Sequence, residues 1–230
     1  MSTFWRRSLL VLGLIGLGGG CNPLYLPFFL ASGEPKFPPS YQRLATNDKK
    51  QQVRVAILTY MGIPEGEELF RADRDLARSV ANELLKLCKY NEENVAVIDP
   101  LTVEEYTNAR PDWHHQHLDL ETVGKDLHAD YVIYIEINSL SFYQPNTYRQ
   151  FYQGKANLTL SLVNVRKPNA LSSGPRELAF SYPSDTRGGN VPVDSDTPPQ
   201  VFRQKFLDYI GRQMAWQFTS HPTNQHHWAE

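Results

Sequence analysis

Three histidines in four residues, His114, His115 and His117, are the side chains here best suited to metal chemistry. With Asp112 or Asp119 they could hold zinc or copper, because neutral imidazole is a common metal ligand. Catalytic zinc commonly takes three protein ligands and keeps a fourth position open. The spacing matches no recognised helical motif, however, and neighbours in a loop need not converge, so a solvated polar loop with Trp113 docked on the body is the expected meaning. Hydrolytic chemistry needs a nucleophile, a base and an orienting group. The sequence has no Gly-x-Ser-x-Gly elbow, no His-Glu-x-x-His and no phosphate-binding Gly loop followed by Lys-Ser/Thr. Ser172, Ser173 and Gly174 read as a turn, and Arg187 to Asn190 as a flexible loop. Glu65, Glu67 and Glu68 stand near a helix start, where acids favour the helix dipole. Cys88 falls in an apolar helical pattern and reads as inert core. No enzyme, resident metal or cofactor is expected. The alternative is a periplasmic metal-binding or hydrolytic protein using the His114–His117 loop.

Cys21 is a different case. It closes the segment MSTFWRRSLLVLGLIGLGGGC. Arg6 and Arg7 supply a positive start, Ser8 to Leu17 an apolar stretch, and Gly18 to Gly20 small residues before a cleavage point. That is the three-part order of a secretory signal. The apolar run is too short for a spanning helix, which needs about 20 residues. The ending Gly19-Gly20-Cys21 resembles the bacterial lipobox, although Gly18 stands where that pattern usually has Leu. The resemblance implies a diacylglycerol on the Cys21 thiol, cleavage just before it and acylation of the new N-terminus. Several acyl chains would anchor the protein stably, where one holds only marginally. The expected place is the cell envelope, facing periplasm or exterior, with the membrane reached through the lipid.

The full chain carries 23 Lys and Arg against 25 Asp and Glu. Losing residues 1–20 removes Arg6 and Arg7 and no acid, so the remainder is more acidic still. Such a body does not seek phosphate backbones, and no nucleic-acid partner is expected. Hydrophobic residues make up 41% and aromatics 12%, enough for a buried core.

The elements that would position these residues follow from periodicity. Residues 1–20 read as the signal and 21–52 as a lipid-anchored, Pro-rich linker. Residues 53–218 read as the domain and 219–230 as a polar tail. VRVAILT at 53–59 suits a buried strand. Residues 68–90 carry one apolar stripe, Ala72, Leu76, Val80, Leu84 and Leu87, and read as a helix. VAVI at 95–98 is a second strand. Thr102 is the expected cap of a short helix through Ala109, with Glu105 at the capping-box position. Another helix is expected at 119–128. Residues 131–143 and 152–165 form a long hairpin, 176–182 a further strand, and 198–218 a final helix. The core face of that helix is Val201, Phe202, Phe206, Ile210, Met214 and Phe218. The expected fold class is therefore α/β (α+β): a mixed sheet with a long antiparallel hairpin and helices packed on it, those from both ends of the chain covering one face, in the order β-α-β-α-α-β-β-β-α.

With that order in place, the chain resembles a known superfamily. It is similar to the group containing the curli-secretion lipoprotein CsgG, the penicillin-binding-protein activator LpoB and the N-terminal domain of TolB. The residues that carry the likeness are VRVAILTY at 53–60, NVAVIDP at 94–100, VGKDLHADYVIYIEI at 123–137 with Gly124 before Ala129, Asp130 and Tyr131, and KANLTLSLVNVRK at 155–167. The resemblance implies an envelope lipoprotein that acts by binding other envelope proteins, and no catalytic residue. The curli channel adds amphipathic hairpins to build its pore. This chain has only the short connection at 144–151, so no channel is expected. Phe142, Tyr143, Tyr148, Phe151 and Tyr152 crowd that connection. They are either a partner-binding surface, since exposed aromatic patches often mark interfaces, or a cover for the domain's own core edge. Oligomeric state is left open.

Overall fold

The structure, a computed structural model, describes residues 35–63, 66–110, 113, 119–167, 174–184, 191–193 and 197–223. The chain divides into two units, Met1–Lys36 and Phe37–Glu230. The second unit holds all the elements that follow.

Strand β1 runs Val53–Met61. Its odd residues Val53, Val55 and Ile57 enter one core and its even residues Ala56 and Leu58 another. Burial on both faces explains the unbroken apolar run. Helix α1 spans Ala72–Tyr90 and buries Ala72, Leu76, Val80, Leu84 and Leu87, the expected stripe. Its start differs from the expected 68. Glu67–Leu69 form a separate 3-10 turn, and Arg71 at φ 57° breaks the path between the two. Strand β2 is short, Val95–Val97. Helix α2 is Pro100–Asn108, and Asp99, not Thr102, is its cap. The Asp99 carboxylate accepts the Leu101 N–H at 2.9 Å, and Pro100 occupies the first helical position, where its missing N–H costs nothing. Helix α3, Leu120–Asp126, is capped by Asp119.

The remaining strands of this sheet are β3 (Tyr131–Tyr143), β4 (Phe151–Asn164), β5 (Arg176–Tyr182) and the two-residue β6 (Val191–Pro192); His221–Pro222 is a further two-residue strand outside it. Helix α4 is Pro199–Ala215. Among the described residues the sheet order is β2-β1-β3-β4-β5, with β6 beside β4. Strand β1 is parallel to both β2 and β3. The rest is antiparallel. The mixed α+β class is thus as expected, with an added turn and a sixth short strand.

Helices α1 and α4 cover one face, over Val55, Ile133, Leu160 and their neighbours. Coverage does not stop there. Val103 of α2 and Val123 of α3 pack on Ala56, Leu58 and Val132 on the opposite face. Helices from both ends of the chain thus cover one face as expected, and the even positions of β1 require this second layer. On α4, Phe202, Phe206, Ile210 and Met214 are buried as expected, as is Phe218 just past its end, but Val201 is exposed at the first turn.

The packed body also extends past residues 53 and 218. Leu44 is buried, as are Thr219 and His221. Tyr41 N–H donates to Gln217 O at 3.0 Å and Leu44 N–H to Phe218 O at 3.4 Å. The Glu93 carboxylate pairs with Arg43 at 2.8 Å and accepts from Thr219 Oγ1 at 2.6 Å. The described parts of the expected linker and tail are therefore held to each other and to the end of α1.

Helices α1 and α4 approach closely at Gly211. A Cβ there would stand 2.6 Å from Ser79 Oγ and 2.9 Å from the Ser79 carbonyl carbon. Ser79 Oγ meanwhile donates to Asp208 Oδ1 at 2.7 Å. Gly211→Ala gains about 1 kcal/mol of helix propensity but forces backbone apart at roughly 1–3 kcal/mol. A net loss of up to about 2 kcal/mol is expected in urea unfolding, because the clash is with backbone and also strains a part-buried hydrogen bond.

Candidate functional site

Cys21, His114, His115 and His117 lie outside the described residues. Among the described residues no group of three or more His, Cys, Asp or Glu could hold a metal ion, and no helix is long and apolar enough to cross a membrane. Cys88 is buried. Burial, and next the Glu93 carboxylate, push its thiol up to about 12. Such a thiol stays protonated and is a poor nucleophile. At pH 8 a thiol reagent is expected to leave native Cys88 unmodified and to react after urea. Because the folded pKa lies above the ordinary value of 9.0, this group's contribution to stability is intact below about pH 9 and declines as pH rises toward 12.

The five rings of the hairpin divide into three environments. Phe142 and Tyr152 are core, at 3% and 2% exposure. Phe142 meets Phe206 edge-on at 6.0 Å. Tyr152 stacks on Phe202 at 4.5 Å and donates from its hydroxyl to Thr197 O. These two cannot present themselves to a partner, which corrects their place in the expected surface. For Phe142 the reason is the register shift between Ile137 and Ser139, which places an extra residue in β3 and moves its inward side from odd to even residues. Tyr152 follows the unbroken alternation of β4, whose even residues are buried. Tyr143 and Phe151 are half-buried. Tyr143 stacks on Tyr152 and lies under the Arg149 guanidinium at 5.2 Å.

Tyr148 alone of the five is almost wholly exposed, at 97%. It sits on an unusual backbone, because Asn146, Tyr148 and Arg149 have φ of 63°, 50° and 61°. Left-handed residues other than Gly or Asn are costly and persist only where the surroundings fix them. Here Arg149 pairs with Glu68 of the 3-10 turn at 2.9 Å, and Thr147 Oγ1 donates to Gln144 O. Ile63 and Phe70, also exposed, follow the same end of the sheet.

A slot of about 300 Å³ opens beside β1 between α1 and α2. Arg74 binds Glu104 at 2.5 Å. Arg78 stands 3.7 Å from Glu104 and 3.9 Å from Asp75. Trp113 lies edge-on to Tyr60 at 6.0 Å and to Tyr134 at 6.3 Å. Burial, then Glu136 and Tyr60, raise the Tyr134 phenol well above its ordinary range. The arrangement is a polar cleft with an aromatic corner and balanced charge. Sequence reading missed it, because it depends on where β2 stops relative to β1.

No family model matches the chain, and no curated protein matches it. Solved structures similar to it include PelC from Paraburkholderia phytofirmans, described as a dodecamer. That likeness has 11% identity over 80% of this chain and 98% of that one, with a TM-score of 0.41. The lipoprotein GNA1162 from Neisseria meningitidis is similar at 14% identity over 59% and 88%, TM-score 0.38. A minor lipoprotein from Acinetobacter baumannii is similar at 10% identity over 71% and 90%, TM-score 0.32. None of the three is described by the name of the superfamily that residues 53–218 resemble. Similarity of this degree leaves the functional argument to the residues of this chain.

Proposed function

We propose that the chain is a bacterial envelope lipoprotein, anchored through Cys21, that works as a non-catalytic binding or assembly module. The observation that carries this reading is the N-terminus: a positive start, a short apolar run and Gly19-Gly20-Cys21. The resemblance of residues 53–218 to the CsgG, LpoB and TolB group points the same way. Phe37, where the second unit begins, contacts His221, and Thr219 nearby in sequence binds Glu93 after α1. Tyr148 projects from the opposite end, beyond the C-terminal ends of β1 and β3. The exposed hairpin tip is the surface offered to other envelope proteins.

Tyr148→Ala tests the surface. The ring touches little, so the melting temperature is expected to hold within a degree or so. Partners cross-linked to the lipidated protein in intact envelope are expected to be lost. Unchanged recovery of the same partners would remove the hairpin tip from the interface.

A further inference from the structure

We infer that the hairpin tip docks on the hairpin tip of a second copy of this chain. In the two-fold dimer that results, each Tyr148 enters a hollow of the other copy, and Glu67 of each meets Arg71 of the other. The inference rests on the binding-module reading and names the partner of that surface.

The surface is built from three segments. Arg149 of the hairpin pairs with Glu68 at 2.9 Å. Arg203 of α4 donates to Glu68 O at 2.9 Å and to Phe70 O at 3.1 Å. The 3-10 turn and the residue after it are therefore bonded to the hairpin on one side and to the start of α4 on the other. Each segment carries an exposed apolar side chain: Tyr148, Phe70 and Val201. A large aromatic ring offers about 150–250 Å², so the three together expose roughly 400 Å². That is on the order of the largest apolar patch on a typical monomer, and such patches are often interaction sites.

The shape is complementary to itself. Tyr148 is a knob on a fixed loop. Its own φ and those of Asn146 and Arg149 are left-handed, and the loop is tied by Thr147 to Gln144 and by Arg149 to Glu68. A loop fixed in this way loses little freedom on binding. Beside it, between the turn and the hairpin, lies a hollow of about 440 Å³ whose lining includes Leu69, Leu140, Tyr143 and Pro145. A benzene ring fits a cavity of about 150 Å³, so a phenol has room. Tyr148 stands at the rim of its own copy's hollow and is almost wholly exposed. A knob beside a hole that admits it suits a two-fold axis, where each copy gives and receives the same contact.

The charges fit the same axis. Glu68 is taken by Arg149 and Asp75 by Arg203. Glu67 and Arg71 are exposed, and among the described residues neither is in an ion pair. Arg71 lies over the Phe70 ring at 5.2 Å. One free acid and one free base beside an exposed ring are no complement to a strongly acidic or strongly basic partner. Turned about an axis near Phe70, each meets its opposite. The interface is small, so the dimer is weak, and tethering both copies to one membrane raises its occupancy.

Sedimentation equilibrium tests this on the full mature chain with Cys21→Ser, which needs no detergent. Between about 1 and 300 μM the chain is expected to pass from monomer to dimer, with Kd of about 10–100 μM. Glu67→Arg and Arg71→Glu are each expected to raise Kd at least about tenfold, because each sets like charges opposite one another twice. Tyr148→Ala is expected to do the same by leaving the hollow empty. An equimolar mixture of the Glu67→Arg and Arg71→Glu chains is expected to form a heterodimer with Kd within about threefold of the parent, since every cross pair is opposite again. Misfolding cannot imitate that recovery. The proposal is overturned if the chain stays monomeric throughout, if it forms an assembly larger than a dimer, if either reversal leaves the dimer intact, or if mixing fails to restore it. Failure here leaves the binding-module reading standing, because loss of cross-linked envelope partners from Tyr148→Ala is scored separately and does not need a dimer.

Discussion

Phe206→Ala is expected to destabilise the fold by about 3–5 kcal/mol, the range for removing a large aromatic from a packed core. Phe206 is fully buried at the centre of α4. Its ring meets Phe142 edge-on at 6.0 Å and Tyr182 nearly parallel at 6.1 Å. Its face lies against Gly154 of β4, where a Cβ would stand 2.6 Å from the ring. The glycine has given up its side chain to make room for this one, so nothing on the sheet can fill the space that truncation leaves. Helix α4 also reaches the inner faces of the hairpin and β5 through this ring. Urea unfolding of the variant beside the parent checks the claim. A loss under about 1 kcal/mol would mean that the site collapses freely and that α4 is not the principal lid of the core.

Cys21→Ser is expected to have an all-or-none effect on location. Sodium carbonate washing strips peripheral proteins but not those held by several acyl chains. The parent is expected in the washed membrane pellet. The variant lacks the thiol that would carry diacylglycerol and is expected either in the soluble fraction or as an uncleaved precursor. Its domain should be untouched, since the described body begins well after residue 21. A variant still held in the washed pellet as a cleaved chain would place the anchor elsewhere, in residues 22–30.

Strands β3 and β5 have the bounds that alternation suggests, 131–143 and 176–182. On β5 the half-buried Leu178, Phe180 and Tyr182 alternate with exposed neighbours, and the first half of β3 is apolar where both its faces are covered, so both are written in residue type. Elements bounded by local backbone chemistry are less legible. The left-handed Arg71 ends the helical path before α1, and no proline or glycine marks it. Asp99-Pro100 is a cap signal as strong as Thr102 with Glu105, and the structure uses the former. Phe142 turns inward because of a register shift in β3, which depends on pairing between strands, whereas Tyr152 follows the plain alternation of β4. Leu44 and Thr219 join the body through contacts across more than a hundred residues, which composition near residues 44 or 219 does not reveal. The slot is the extreme case. It exists because β2 is three residues long and β1 nine, a mismatch visible only once both are paired.

The central claim is that Cys21 is the lipidated first residue of the mature protein. Mass spectrometry of the N-terminal peptide from washed membranes tests it most directly. The account predicts a chain that begins at Cys21, with diacylglycerol on the thiol and an acyl group on the α-amino nitrogen. A mature chain carrying an unmodified Cys21, or beginning at any other residue, would contradict it.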